Sequence, residues 1–460
     1  MSGQVTRADK ARSDYMAIPF LAPAGVNRLE VRYEVSDAMS AAQHEESGNV
    51  IDIGILDPRG SDPFQAQGFR GWSGSARASF YISATEATPG YLPGPIYPGQ
   101  WQVVLGLYRI AVQGCTYQVQ ITLHAGPSAE ARPAKISPAI SGRPGWYPGD
   151  LHAHTEHSDA KGAIADLVKA AQARGLQFVA VTDHNTVSHH AHLATHNTPD
   201  FLLIPGQEIT TYYGHANAWG AGWQEFRLRT ADEMRRVREA VRAAGGLFSI
   251  NHPKKNEWQY EMFDADCLEV WQMPWFLGNH ESLALWERLL RQGQRIVAVG
   301  GSDRHQPPFA GELGMYDVGA PTTWVYAQEL SERGVLEGLR AGRVFISEGI
   351  QGPRIYLEAD GDGDGQYEAM MGDALSLPAG REIAWRCRVE GGKGQLLHLV
   401  YANAEKCVTV DNDMFIFEWR AAFSHSDYCR AELILPDREE TNLAILMRTA
   451  LSNPIYLSIS

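Results

Sequence analysis

Histidines and carboxylates gather in one third of this chain. Of its 16 histidines, 12 lie between His152 and His305, and imidazole is the side chain best suited to bind metals and to move protons near neutral pH. The spacing His152-Ala153-His154 directs both rings to one side of a strand, because side chains there alternate with period two. Asp303 and His305 repeat that spacing after Gly300 and Gly301, whose missing side chains let backbone approach a site closely. Between these pairs fall Asp159, Asp183, His184, Glu208, His215 and His252. A single His-x-His pair is more often a surface or core feature than a ligand pair, whereas several such elements at successive strand ends read as a metal site. Imidazole with carboxylate suits Zn, Mn or Fe and is too rich in nitrogen for calcium.

The elements that must position these residues run from Gly149 to about Gly349. Short apolar runs (GDLHAH, FVAVTD, FLLIPG, HANAWG, LFSINH, CLEVWQ, RIVAVGG) alternate there with helical patterns, the signature of parallel strands joined by crossover helices. Thr230 and Glu233 stand at capping-box spacing before MRRVREAVRAAGG, and ALWERLLRQG ends at a glycine, as helix boundaries do. About seven strands in this length predict a compact α/β barrel with its site at the strands' C-terminal ends. Residues 1–126 read as an N-terminal β-sandwich, from RLEVRYEV, NVIDIGILD, ARASFYIS, WQVVLGLYRI and TYQVQITLHA. Residues 127–146 read as a Pro- and Gly-rich linker, 147–350 as the barrel, and 351–460 as a small C-terminal β domain.

Composition narrows the possible partners. A formal charge of −14 opposes an extended nucleic-acid groove, which needs clustered Lys and Arg. A small anionic substrate stays open, since bound divalent ions reverse the local sign. No apolar run long enough to span a membrane and no secretory h-region is present, so a soluble cytoplasmic protein is expected. The five cysteines lack CxxC spacing and read as reduced, mostly buried thiols. Asp360-Gly-Asp362-Gly-Asp364-Gly365 begins like a calcium loop but has Met371 at its twelfth position, so a turn is preferred. His189, His190, His192 and His196 read as a polar helix face, and His157 as a surface histidine.

The ordered pieces GDLHAHTEHSD, AVTDHNT, IPGQEIT, GHANAWG, INHP, LEVW and GGSDRH, followed by LRAGRVFIS, resemble the PHP (polymerase and histidinol phosphatase) family and, within it, the CehA/McbA-like metallohydrolases. The resemblance covers roughly residues 148 to 350 and extends into the β tail through NPIYLSIS. It implies a distorted (β/α)7 barrel holding two or three divalent metal ions. It further implies that His152, His154, Glu208 and Asp303 bind a first metal, and that Glu208 bridges to a second completed by His215 and His252. Asp159, His184 and His305 would hold a third. The reaction expected is hydrolysis by a hydroxide shared between metals, with a phosphoester as substrate. The alternatives are carbamate, amide or carboxylic ester hydrolysis with the same metals, and a non-catalytic binding protein. Arg304 and Lys254 (or Lys255), beside ligand motifs, are expected to hold substrate oxygens, and Asp183 to orient a ligand. Asn185, Tyr212 and Tyr213 are further contact candidates.

Overall fold

The computed structural model describes residues 1–39, 48–60, 67–126, 142–306, 316–401, 404–437 and 442–459. Most of the expected linker, residues 127–141, lies outside them. The amino-terminal part forms two four-stranded antiparallel sheets. One joins Ser2–Val5, Cys115–Ala125, Val26–Val35 and Ser79–Ser83 in that spatial order, the other Tyr15–Ala22, Gly99–Arg109, Val50–Leu56 and Phe69–Gly74. Alternation decides what each strand buries: Leu29, Val31 and Tyr33 point inward while Arg32 and Glu34 are exposed. They share one core with Ile53, Ile55, Trp101, Val103 and Leu105 of the other sheet.

The central strands Val297–Gly301, Cys267–Gln272, Leu247–Ile250, Gly214–Trp219, Leu202–Thr211, Phe178–Val181 and Gly145–Ala153 are neighbours in that order. The sheet continues past Gly145–Ala153 through Thr322–Ala327 and Val344–Ser347 into Arg448–Ser452, Asp427–Ile434 and Leu396–Tyr401. Crossover helices Ile164–Arg174 and Asn279–Arg291 lie between strands that pair in parallel, as expected. Helix Ala231–Ala243 starts with the expected capping box of Thr230 and Glu233.

Two expectations need correction. The sheet is mixed, because the HANAWG strand runs antiparallel to both neighbours. Only Tyr212 and Tyr213 separate it from the preceding strand, and two residues make a hairpin where a parallel return needs a dozen or more. Second, the described strands form no closed barrel ladder. The end strand Val297–Gly301 meets Gly145–Ala153 beyond its own C-terminus, at the single bridge between Ala153 and Arg304. There the Asp303 N–H donates to the His152 carbonyl (2.8 Å) and the His154 N–H to the Arg304 carbonyl (3.0 Å). Buried Asp150 adds a tie, accepting from the N–H groups of His152, Ser302 and Gly319.

Past residue 350, a sheet of Ala369–Met370, Arg354–Asp360, Glu382–Glu390 and Met414–Ala422 shares a core with the extended central sheet, built on Leu357, Trp385, Leu399 and Ala431. Asp360 accepts from the N–H groups of Gly363 and Gly365, which makes its segment a self-capped turn. Its carboxylate, with those of Asp362, Asp364 and Glu368, also lies close enough to share an ion. All five cysteines are free thiols, and only Cys407 is exposed. No helix among the described residues is long and apolar enough to cross a membrane.

Candidate metal centre

The central strands deliver their polar residues to one place. Glu208, completely buried on Leu202–Thr211, stands in the middle. Its Oε1 is 3.3 Å from ring nitrogens of His152, His215 and His252. Its Oε2 is 2.7 Å from His184 Nδ1 and 3.7 Å from His154 Nε2. Asp303 Oδ1 lies 2.9 Å from His154 Nε2 and 3.3 Å from His152 Nε2. On the outer side, Asp159 Oδ1 is 3.3 Å from His305 Nε2 and 3.6 Å from His184 Nε2. All nine residues expected as ligands therefore sit in one cluster. Three groups within it bring donor atoms close enough to share an ion: His152, His154 and Glu208; Glu208, His215 and His252; and His154, Asp159, His184 and His305; a fourth joins His152 and His252 to Glu269.

Backbone strain accompanies this convergence. His252 (φ 27°), Asp303 (φ 50°) and Asn185 (φ 57°) adopt left-handed conformations that non-glycine residues favour little and that recur at functional sites. Gly301 allows the closest approach, since a Cβ there would lie 2.4 Å from His152 Cβ and 2.8 Å from Glu269 Oε1.

Electrostatics test whether the cluster suits a cation. Burial opposes charge on Glu208, but the rings of His152, His184 and His215 outweigh it and hold the carboxyl well below its usual range. Burial likewise opposes charge on His252, yet hydrogen bonds to Glu208 and Glu257 raise it to about 10. His154 goes the other way, to about 4, through burial and the neighbouring His305 and His184. A cluster that draws protons onto some imidazoles to balance buried carboxylates is one that divalent ions can neutralise instead. His152 makes the case most directly. Its Nδ1 lies 2.9 Å from Glu269 Oε1, which accepts a hydrogen bond from the Nδ1–H. Its Nε2 is buried without a hydrogen bond while facing Glu208 and Asp303. A ring oriented by an outer carboxylate, with the other nitrogen aimed at acidic ligands, is how metal-bound histidines are held.

Sequence reasoning missed several supports. Glu269 also accepts from the His252 N–H (3.0 Å). Asn251 donates to Glu208 Oε1 (3.0 Å), and Gln272 to Asp303 Oδ2 (2.7 Å). Of the substrate-contact candidates, Lys254 reaches the site's edge, donating to Gln272 and lining a cavity of about 640 Å³ with His215, His252 and Glu257. Arg304 does not present a free cation there: it is buried, and its Nε donates to Asp317 at 2.9 Å. Asp183 accepts from the Thr155 N–H and from the Thr155 and Ser158 hydroxyls and lies 3.2 Å from His189 Nδ1, so it shapes the 155–158 loop. Lys255 is exposed. Asn185 pairs with Thr210 through two hydrogen bonds. His189 and His190 tie down the Gly206 carbonyl, and His157, buried rather than superficial, pairs with Ser188.

Comparison with known proteins gives the cluster a family. Residues 150–234, which carry six of the nine clustered residues, match the PHP domain. The chain therefore contains a PHP domain, and its polar cluster begins inside it. No curated protein matches the chain. Among solved structures, it is similar to a two-domain protein from Bacteroides vulgatus described as containing a PHP-like metal-dependent phosphoesterase, at 16% identity and TM-score 0.35, over 72% of this chain and 100% of that one. It is also similar to a protein from Bifidobacterium adolescentis described as a metal-dependent phosphoesterase (19% identity, TM-score 0.27, 37% of this chain and 91% of that). A third is an amidohydrolase from Chromobacterium violaceum with bound sulfate and no metal (17% identity, TM-score 0.26, 34% and 87%).

Proposed function

We propose that this chain is a metal-dependent hydrolase of the CehA/McbA-like branch, acting on phosphoesters of small molecules through a di- or trinuclear centre. The observation that carries the reading is Glu208, one buried carboxylate with imidazoles of five histidines around its two oxygens. His152, His154, Asp303 and Glu208 would hold one ion, Glu208, His215 and His252 a second, and Asp159, His184 and His305 a third. Zn, Mn or Fe suits this donor set. When bound, such ions supply an activated water nucleophile and stabilise the charge that develops on the reacting ester.

The chain's own residues prepare that chemistry. Glu269 holds His152 and the His252 backbone, Gln272 holds Asp303, and Asn251 holds Glu208, so the donors are fixed before a substrate arrives. Lys254 stands at the cavity edge as the cation available to an anionic group. A second reading, hydrolysis of carbamate, amide or carboxylic ester bonds, draws support from Arg304, whose pairing with Asp317 leaves the site with less positive charge than adjacency in sequence implies.

Metal analysis of protein purified without added metal, combined with a panel of aryl phosphates, phosphodiesters, carbamates and carboxylic esters, tests the proposal. Phosphoester turnover that disappears on chelation and returns with one of the three metals is expected. Turnover of only a carbamate or carboxylic ester would replace the first reading by the second.

A further inference from the structure

We infer that the amino-terminal sheets are part of the active centre, and that Tyr108 forms an aromatic wall selecting substrates whose non-reacting part is a flat ring. This rests on the hydrolase reading above and names the substrate part that it left open. A cavity of about 330 Å³ is lined on one side by Val50, Trp72 and Tyr108 of the amino-terminal sheet and on the other by Asp159, His184 and His215 of the polar cluster. Tyr108 also lines the larger cavity that holds His252 and Lys254. It is thus the one residue from the amino-terminal part that borders both described cavities next to the cluster. The residue is 49% exposed where it borders these cavities.

The placement of that wall is fixed by contacts across the seam. The hairpin residues Tyr212 and Tyr213, between the strands carrying Glu208 and His215, both reach into the amino-terminal part. Tyr212 donates to Asp52 Oδ2 (2.7 Å) and Tyr213 to Asp14 Oδ2 (2.9 Å). Tyr212 stacks on Tyr15 at 5.5 Å between centroids and meets Tyr108 edge to face at 5.2 Å. Gly106 makes the seat possible, since a Cβ there would lie 2.3 Å from the Tyr212 hydroxyl oxygen. Tyr108 and Tyr212 therefore present two mutually braced rings a short way from the reacting centre. Aromatic rings held this way favour another flat ring over an alkyl group of similar chemistry.

The test compares kcat/KM for phenylmethyl and cyclohexylmethyl esters of the same acid, whose leaving alcohols are similar in size and reactivity, in both the phosphate and carboxylic ester series, on the full-length metal-loaded protein. The native protein should prefer the phenylmethyl member, and Tyr108→Ala should lose roughly tenfold of that preference. Tyr108→Phe should keep it, because the ring and not the hydroxyl forms the wall. Leu21→Ala, exposed on the same sheet, should also keep it. Tyr108→Leu carries the same comparison should the alanine variant not fold. A native protein without phenylmethyl preference, or a preference retained in Tyr108→Ala, overturns this inference alone. Absence of any ester hydrolysis by the native protein overturns the functional reading and this inference with it.

Discussion

Glu208 is the residue through which the two halves of the polar cluster touch, so its charge matters more than its size. Glu208→Gln keeps the volume and should leave the fold intact, yet metal content should fall and turnover should drop by at least about a hundredfold. Metal analysis and circular dichroism on the same preparation check both statements. Glu269→Gln should be milder, about ten- to a hundredfold in metal affinity, because it loosens the His152 ring while all nine expected ligands stay in place. Asp52 gives a prediction in pH. Burial raises its carboxyl to about 6 from an ordinary 3.8, against the Tyr212 hydrogen bond. The folded state then binds its proton more tightly than the unfolded chain, so Asp52 favours folding below pH 4, and that contribution is lost as pH rises through 6. Asp52→Asn should therefore gain up to about 3 kcal/mol relative to the native protein at pH 7 and little at pH 4 in urea melts, about 1.4 kcal/mol per pKa unit. The ligand pairs were legible because period-two spacing sets both members on one face. Arg304 misleads for another reason: it lies past the strand's end, after left-handed Asp303, where alternation no longer applies, and its side chain is taken up by Asp317. Glu269 gave no such signal, being a lone acid inside the apolar run CLEVWQ.

At the scale of elements, the site depends on how closely strand ends approach. Gly301→Ala would press a methyl group onto His152 and Glu269. It should lower metal occupancy and activity at least tenfold, with a far smaller change in overall secondary structure; unaltered metal binding would show that the strand ends can move apart freely. Strand and helix positions were readable from periodicity and caps such as Thr230 with Glu233. Strand direction was less so, because HANAWG carries the composition of a central strand whichever way it runs. The hint lay in the connection, where Tyr212 and Tyr213 leave no room for a crossover helix. That the two ends of the seven-strand run meet only past a strand end, where a closed barrel was expected, was not legible, since it depends on backbone bonds between residues distant in sequence, such as Asp303 to His152.

For the whole molecule, the carboxy-terminal segment is bonded into the sheet that carries the site. Asn453 donates to the carbonyls of Ala298 and Val344 and accepts from the Ala298 N–H, all in buried surroundings. Asn453→Ala takes the side-chain partner from the Ala298 N–H and carbonyl, while the Val344 carbonyl keeps the Asn453 backbone N–H, and should cost about 2–4 kcal/mol in denaturant unfolding, at 1–3 kcal/mol for each buried group left unsatisfied. Strands Thr322–Ala327 and Val344–Ser347 are the hinge of this arrangement in packing terms. Trp324 and Phe345 enter the core formed with the carboxy-terminal sheets, whereas Val325 and Val344 enter the core beneath the central strands. Neighbouring residues on one strand thus belong to different interiors, and neither interior can melt without stripping a wall from the other. Amide protons on both sides of this shared strand pair should consequently exchange with solvent at one common, slowest rate, as a single cooperative unit spanning what the sequence divides at residue 350.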